Sequence, residues 1–240
     1  MTPLETYLRS VSDIHASGAG VKETSYYPAV SNLLNEIGKR VKPRVRCIIN
    51  PANRGAGIPD GGLFTADQFP KSPALEPLKG ALPARGAIEV KPASDDAWVT
   101  ADGQQVTKYW RTYRQVLVTN CRDFVLVGPD AEGRPVKLET FRLADDEKAF
   151  WAAAATPRKT DAARGERFIE FLQRVMLHAA PLGAPEHVAW FLASYARDAK
   201  ARIQGVDLPA LASVRSATDT GSCGMPEPGI QSLGLIEDAV

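Results

Sequence analysis

The chain has 240 residues, 44% hydrophobic and 24% charged, which supports one core of about 150 residues with something smaller beside it. No apolar run approaches the roughly 18 residues that span a bilayer, and the start MTPLETYLRS has no basic stretch leading into an apolar one, so a cytoplasmic protein without a membrane partner is expected. A net charge of +1 names no partner, and Cys47, Cys121 and Cys223, odd in number and without CxxC spacing, fit a reducing compartment rather than a disulfide scaffold.

A first helix is predicted from about Pro3 to Ile14, where Leu4, Tyr7, Leu8 and Val11 recur at helical spacing before the break SGAG. A second runs from Thr24 or Tyr26 to Arg40 on the apolar face Tyr27, Val30, Leu33, Leu34 and Ile37. Glu23 stands at its entrance, where the ordinary role of an acid is to face the positive end of the helix dipole. Lys39, Arg40, Lys42, Arg44, Arg46 and Arg54 follow with no acid among them, a pattern as common on solvated faces as on polyphosphate-binding ones.

Strands are predicted at VRCIIN (45–50), in the short IPDGGLFT (58–65) and, after a Pro-rich insertion over 68–86, at AIEVK (87–91). A helix is expected from about Asp95 to Tyr113, with Val99, Val106, Tyr109, Trp110 and Tyr113 on its apolar side and Lys108, Arg111 and Arg114 off it. QVLVTN (115–120) and DFVLVGPD (123–130) complete the strands, and their near-continuous apolar runs imply a sheet covered on both faces. The order indicates an α/β domain over 1–151 with a mixed central sheet flanked by helices. Residues 152–165 read as a linker or weak helix, and 166–212 as a helical connector folded back about PLGAP. Phe168, Phe171, Leu172, Val175 and Met176 form one stripe of this hairpin, and Val188, Phe191, Leu192 and Tyr195 the other. Two helices make a poor core, so the pair should pack on the first domain or on another body. The tail 213–240 is Gly/Pro/Ser-rich, acidic and without period, and reads as disordered.

Two stretches carry chemistry. In AIEVK the strand turns Glu89 and Lys91 to one face and Val90 to the other; an edge ion pair is the ordinary explanation of such an E-V-K. In GAGIPDGG, Asp60 sits between a proline and two glycines, good turn chemistry that lacks both the G-K-[ST] ending of a phosphate loop and the N–H that Pro59 removes. Together they have the form P-D…E-x-K. Gln105 follows on a predicted helix, with Tyr109 one turn further. Adjacent strands and flanking helices can bring Glu23, Asp60, Glu89, Lys91 and Gln105 to one pocket. Hard oxygen donors from Asp60 and Glu89 suit Mg²⁺, with Mn²⁺ a substitute, and a lysine beside them can orient water or stabilise charge on phosphorus.

This ordered set resembles the PD-(D/E)xK nuclease superfamily, and Gln105…Tyr109 resembles the Q-x-x-x-Y element of its recombination-exonuclease branch. ETSYYPAVSNLLNEIG, NRGAGIPDGGLFTADQF, YRQVLVTNCRDFVLVG and ARGERFIEFLQRVMLHAAPL resemble the N-terminus of large single-chain restriction-modification proteins. There a nuclease domain precedes a helical connector, an adenine-N6 methyltransferase and a target-recognition domain. The resemblance implies a restriction-endonuclease-like fold and Mg²⁺-dependent hydrolysis of double-stranded DNA. Asp60, Glu89, the carbonyl of Val90 and Glu23 would serve a metal, Lys91 the attacking water, Gln105 the catalytic shell and Tyr109 its support. Arg44, Arg46, Arg54, Lys108 and Arg111 are the expected DNA contacts, and two copies would meet transiently to cut both strands. The resemblance ends near SVRSA, with no N-P-P-Y or D-P-P-Y element, so a chain truncated before the methyltransferase, unable to transfer methyl groups and ending in an aberrant tail, is expected. Two other readings stay open: a DNA-binding remnant without useful catalysis, and a nuclease for branched or free-ended DNA.

Overall fold

Local capping chemistry starts and stops the first helix. In α1 (Pro3–Ser17) the Thr2 hydroxyl accepts the N–H of Glu5, and Gly18 ends the helix in the left-handed region at φ 62°. These are features of a computed structural model that describes residues 1–20, 23–69, 81–181 and 183–204. The tail 213–240, Cys223 and residues 70–80 of the Pro-rich insertion therefore lie outside the described residues. After a 3-10 turn at Thr24–Tyr26, α2 (Tyr27–Gly38) buries Val30, Leu33, Leu34 and Ile37 on the expected face.

Six strands follow: β1 (Val45–Ile49), β2 (Gly61–Thr65), β3 (Ala87–Val90), β4 (Val116–Thr119), β5 (Asp123–Pro129) and β6 (Pro135–Arg142). Their spatial order is their chain order, and every neighbouring pair is antiparallel except β3 and β4. That pair is parallel because the chain returns through α3 (Ala97–Ala101) and α4 (Gln104–Tyr113), the crossover a parallel pair requires. Alternation then sorts the side chains. Ile88, Val90, Leu117 and Phe124 join the core under α1, α2, α5 (Glu147–Ala155) and α6 (Pro157–Leu177). Ala87, Val116, Val118 and Val125 join a smaller one under α3 and α4. The mixed α/β architecture with helices on both faces is as expected.

The structure corrects four details. The single helix expected over 95–113 is two, because Gly103 takes an extended backbone to begin α4, and a Cβ there would lie 2.9 Å from the Thr100 carbonyl; Val99, on the expected apolar side, is 70% exposed. The edge strand β6 is additional. Its burial is partial and alternating, so it lacks the continuous apolar run of its neighbours. The stretch 152–165 is helical, divided between the end of α5 and the start of α6. Finally, α7 (Pro185–Gln204) leaves Val188 and Leu192 exposed, so the expected second apolar stripe is only partly covered.

The chain divides into a unit 1–194 and a second from Tyr195, of which only the last turns of α7 are described; there Arg202 pairs with Asp198 at 2.7 Å. Within the first unit, α6 is part of the sheet's core. Phe168 is fully buried against Phe124 and Phe141, with ring centroids 4.9 and 5.2 Å apart, and Gln115 at the entrance to β4 donates to the Val175 carbonyl. Phe168→Ala should therefore destabilise the whole sheet domain, by about 3–5 kcal/mol in one denaturant transition. A separate early transition that leaves the sheet's stability untouched would contradict this packing.

Candidate active site

The ladder between β2 and β3 is short, with Gly61 opposite Ile88 as its last pair. One step further, the register brings Asp60 opposite Glu89, both beyond the point where strand pairing uses up the backbone groups. The main chain of Asp60 is fixed from the other side, where its carbonyl accepts the Asn50 N–H at 3.0 Å. Its carboxylate reaches across the gap, and Oδ2 accepts the N–H of Val90 at 2.7 Å. Glu89 lies on the α4 side of the sheet and is 1% exposed.

Lys91 follows where β3 has ended. Its N–H still bonds the Thr119 carbonyl of β4, while its ammonium lies 2.7 Å from Glu89 Oε1 and 3.2 Å from Glu23 Oε1. Glu23 precedes the 3-10 turn into α2, so the second acid arrives from the opposite helical layer. Gln105 comes from the first turn of α4. Its Nε2 lies 3.4 Å from Glu89 Oε2 and donates to the Tyr109 hydroxyl at 3.1 Å. The Tyr109 hydroxyl in turn donates to the Ile58 carbonyl at 2.9 Å, which ties the loop before Pro59-Asp60 to α4. Glu23, Asp60, Glu89, Lys91, Gln105 and Tyr109 are thus brought together.

Tyr27 joins them without having been singled out in the sequence. Its hydroxyl lies 2.6 Å from Asp60 Oδ1 and 3.2 Å from Glu23 Oε1. Sequence periodicity assigns it to the apolar face of α2, and its ring is indeed buried. The available signal was its position one helical turn after Glu23.

The charges oppose one another strongly. Burial first, with the charge of Asp60 added and Lys91 opposing, pushes the Glu89 carboxyl up to about 7. Burial likewise raises Asp60, against the hydrogen bonds from Tyr27 and Val90. Burial disfavours the Lys91 ammonium, but Glu89 and Glu23 outweigh it and hold the lysine protonated, above its ordinary range. Two carboxyl groups of raised proton affinity, one raised in part by the charge of the other, make a donor set that a cation would relieve. Among the described residues no group of three or more His, Cys, Asp or Glu is placed to hold a metal ion. Glu23 instead faces Lys91 and Tyr27.

The expected DNA contacts separate in space. Lys108 and Arg111 line a groove of about 910 Å³ that also contains Gln105, Tyr109 and Gly57. Arg54 lies in the β1–β2 loop and borders a different hollow with Phe64, Phe69 and Tyr113. Arg46 projects from β1 over the Phe69 ring at 5.0 Å, and Arg44 precedes β1 at the end away from Asp60, since Val45 pairs with Thr65 while Ile49 pairs with Gly61. Among the described residues no helix is long and apolar enough to cross a membrane.

No family model matches this sequence, and no curated protein does. Among solved structures, the chain is similar to a chain of the DrdV–DNA complex determined by cryo-electron microscopy, at 19% sequence identity. That similarity covers 64% of this chain and 93% of the other, with a TM-score of 0.43.

The raised Glu89 has a consequence that can be measured without a substrate. Folded protein keeps the proton up to about pH 7, whereas an ordinary glutamate releases it near 4.5. Stability of the metal-free protein should therefore fall as pH rises between those values, by on the order of 3 kcal/mol. Denaturant unfolding in chelator, from pH 4.5 to 7.5, should show this slope in the wild type and a flatter one in Glu89→Gln. Equal slopes would refute the assignment.

Proposed function

We propose that this chain is a Mg²⁺-dependent nuclease acting on double-stranded DNA, with Asp60, Glu89 and Lys91 at its centre. One observation carries the reading: at the open end of the β2–β3 ladder Asp60 opposes Glu89, while the Lys91 ammonium lies 2.7 Å from Glu89. An edge ion pair, the ordinary explanation of E-V-K, would not bury its glutamate to 1% exposure nor set a second acid opposite it in the register.

The donor set fits Mg²⁺, which retains several waters and takes one or two protein carboxylates alongside phosphate oxygens. Asp60 and Glu89 would hold it, with the Val90 carbonyl a further donor. When bound, it would supply polarisation of a phosphoryl group and a more acidic water. The remaining chemistry belongs to the side chains. Lys91, kept charged by two carboxylates, offers a fixed cation for negative charge that builds on phosphoryl oxygens, and a donor to orient attacking water. Glu23 restrains that lysine from the α2 side. Gln105 presents an amide between Glu89 and the groove, and Tyr109 fixes the loop that carries Asp60. Lys108 and Arg111 lie on the same exposed side of α4 as Gln105 and would contact phosphates in the groove. In this reading the nuclease belongs to a restriction-type activity, and two copies would need to meet to cut both strands.

Supercoiled plasmid incubated with Mg²⁺ should be nicked by wild type and not in chelator. Asp60→Ala and Lys91→Ala should each lose about a hundredfold or more in rate, while Asp60→Ala retains DNA binding. Undiminished nicking by either variant would rule out this centre. Wild type that binds DNA with no Mn²⁺ uptake and no cleavage would instead favour a DNA-binding remnant. In binding titrations against salt, Lys108→Ala and Arg111→Ala should each reduce the slope of log K by about one. Arg44→Ala, at the far end of β1, should leave it nearly unchanged.

A further inference from the structure

We propose that Tyr27 is a positioning residue for Asp60: its hydroxyl, with the Val90 N–H, fixes the plane in which the Asp60 carboxylate faces Glu89. The inference deepens the nuclease reading and rests on it for its functional consequence, though not for its structural part.

The two Asp60 oxygens are held by donors from different elements. Oδ2 takes the Val90 N–H at 2.7 Å and Oδ1 takes the Tyr27 hydroxyl at 2.6 Å. One donor would leave the carboxylate free to swing about it; two at opposite oxygens do not. A restraint matters here, because Asp60 opposes the buried Glu89 beyond the last β2–β3 pair, where no ladder hydrogen bond holds the two segments together. Tyr27 suits the task. It opens α2 and its ring is 7% exposed, so the hydroxyl cannot withdraw without displacing a buried ring.

The same hydroxyl lies 3.2 Å from Glu23 Oε1, the oxygen that Lys91 also approaches at 3.2 Å. A phenol has one hydrogen, so it serves one carboxylate at a time. The shorter contact assigns it to Asp60, which leaves Glu23 to Lys91. Tyr27 and Tyr109 then hold Ile58-Pro59-Asp60 from the two sides of the sheet. Tyr109 takes the Ile58 carbonyl and Tyr27 the carboxylate. An open run of contacts leads from Glu23 through Lys91, Glu89, Gln105 and Tyr109 to the loop, and ends at Asp60 on Tyr27.

Tyr27→Phe keeps the buried ring and removes only the hydroxyl. In metal-free full-length protein, amide exchange at Val90 should accelerate about tenfold, while exchange at Val118, in the interior of β4, stays as in wild type. In an Asp60→Ala background the same substitution should change nothing at Val90, an outcome that a purely structural role for the ring would not produce. Calorimetric titration with Mn²⁺ should show about tenfold weaker binding for Tyr27→Phe at an unchanged thermal midpoint. Unaltered Val90 exchange in Tyr27→Phe, or acceleration that persists without the Asp60 carboxylate, overturns the positioning role. Equal Mn²⁺ affinity of the two proteins overturns its functional consequence. Wild type that takes up no Mn²⁺ would refute the nuclease reading, while the exchange measurement would still decide the positioning.

Discussion

A carboxylate as enclosed as Glu89 cannot be left to itself. Its charge must be matched at contact distance, or its proton retained, and this chain does some of each. The cation that matches it comes from two residues along the same strand, which strand geometry places on the same face. Lys91 can fold back onto Glu89 because β3 ends between them, so the lysine keeps one backbone bond to β4 while its side chain turns into the gap. Had β2 continued to pair past Gly61, the gap would be filled by ladder hydrogen bonds and Asp60 would have no unpaired Val90 N–H to reach. The early end of one ladder therefore sets the position of all three charged groups.

The helices complete what the strands begin. α2 brings Glu23 and Tyr27 from one layer, and α4 brings Gln105 and Tyr109 from the other, so the sheet edge is gripped on both faces. α4 occupies that place because β3 and β4 are parallel, and the crossover between them must run across one face of the sheet. The parallel pair is thus the topological reason that a glutamine, a tyrosine and two bases stand near a carboxylate from a distant segment. The opposite layer is anchored independently. The Tyr7 hydroxyl donates to the Cys121 carbonyl at 2.7 Å, tying α1 to the turn between β4 and β5.

Much of this was legible before any coordinates, and for physical reasons. Strands with both faces covered must be apolar almost throughout, which made β3, β4 and β5 plain, and P-D…E-x-K with Gln105 and Tyr109 identified the residues that meet. β6 obeys the weaker rule of a half-exposed edge, where Lys137 and Glu139 interrupt the apolar signal. The stretch 152–165 left linker and weak helix open because it offers few large apolar groups. Alanine nevertheless favours helix, Pro157 opens α6 without losing a hydrogen bond, and Asp146 caps α5 by accepting the Ala149 N–H. Tyr27 was concealed by its own chemistry. A tyrosine satisfies an apolar periodicity with its ring while its hydroxyl does something the periodicity does not record.

The basic residues show how differently sequence and surface count charge. Six bases without an acid between 39 and 54 look like one patch, yet the chain there leaves a helix, enters a strand and turns into a loop. β1 carries Arg44 to one end and Arg54 returns near the other, while Arg46 lies over an aromatic ring on the sheet face. Lys108 and Arg111 are fewer but better placed. With Gln105 they follow one another at intervals of three on a single helix, which puts them on one side of α4, while Val106, Tyr109 and Trp110 take the other into the core. A phosphate chain drawn to that side would meet two guanidinium or ammonium groups and then the amide that touches Glu89. What sets two bases beside the amide that touches the buried carboxylate is therefore the pitch of one helix, not the density of positive charge along the chain.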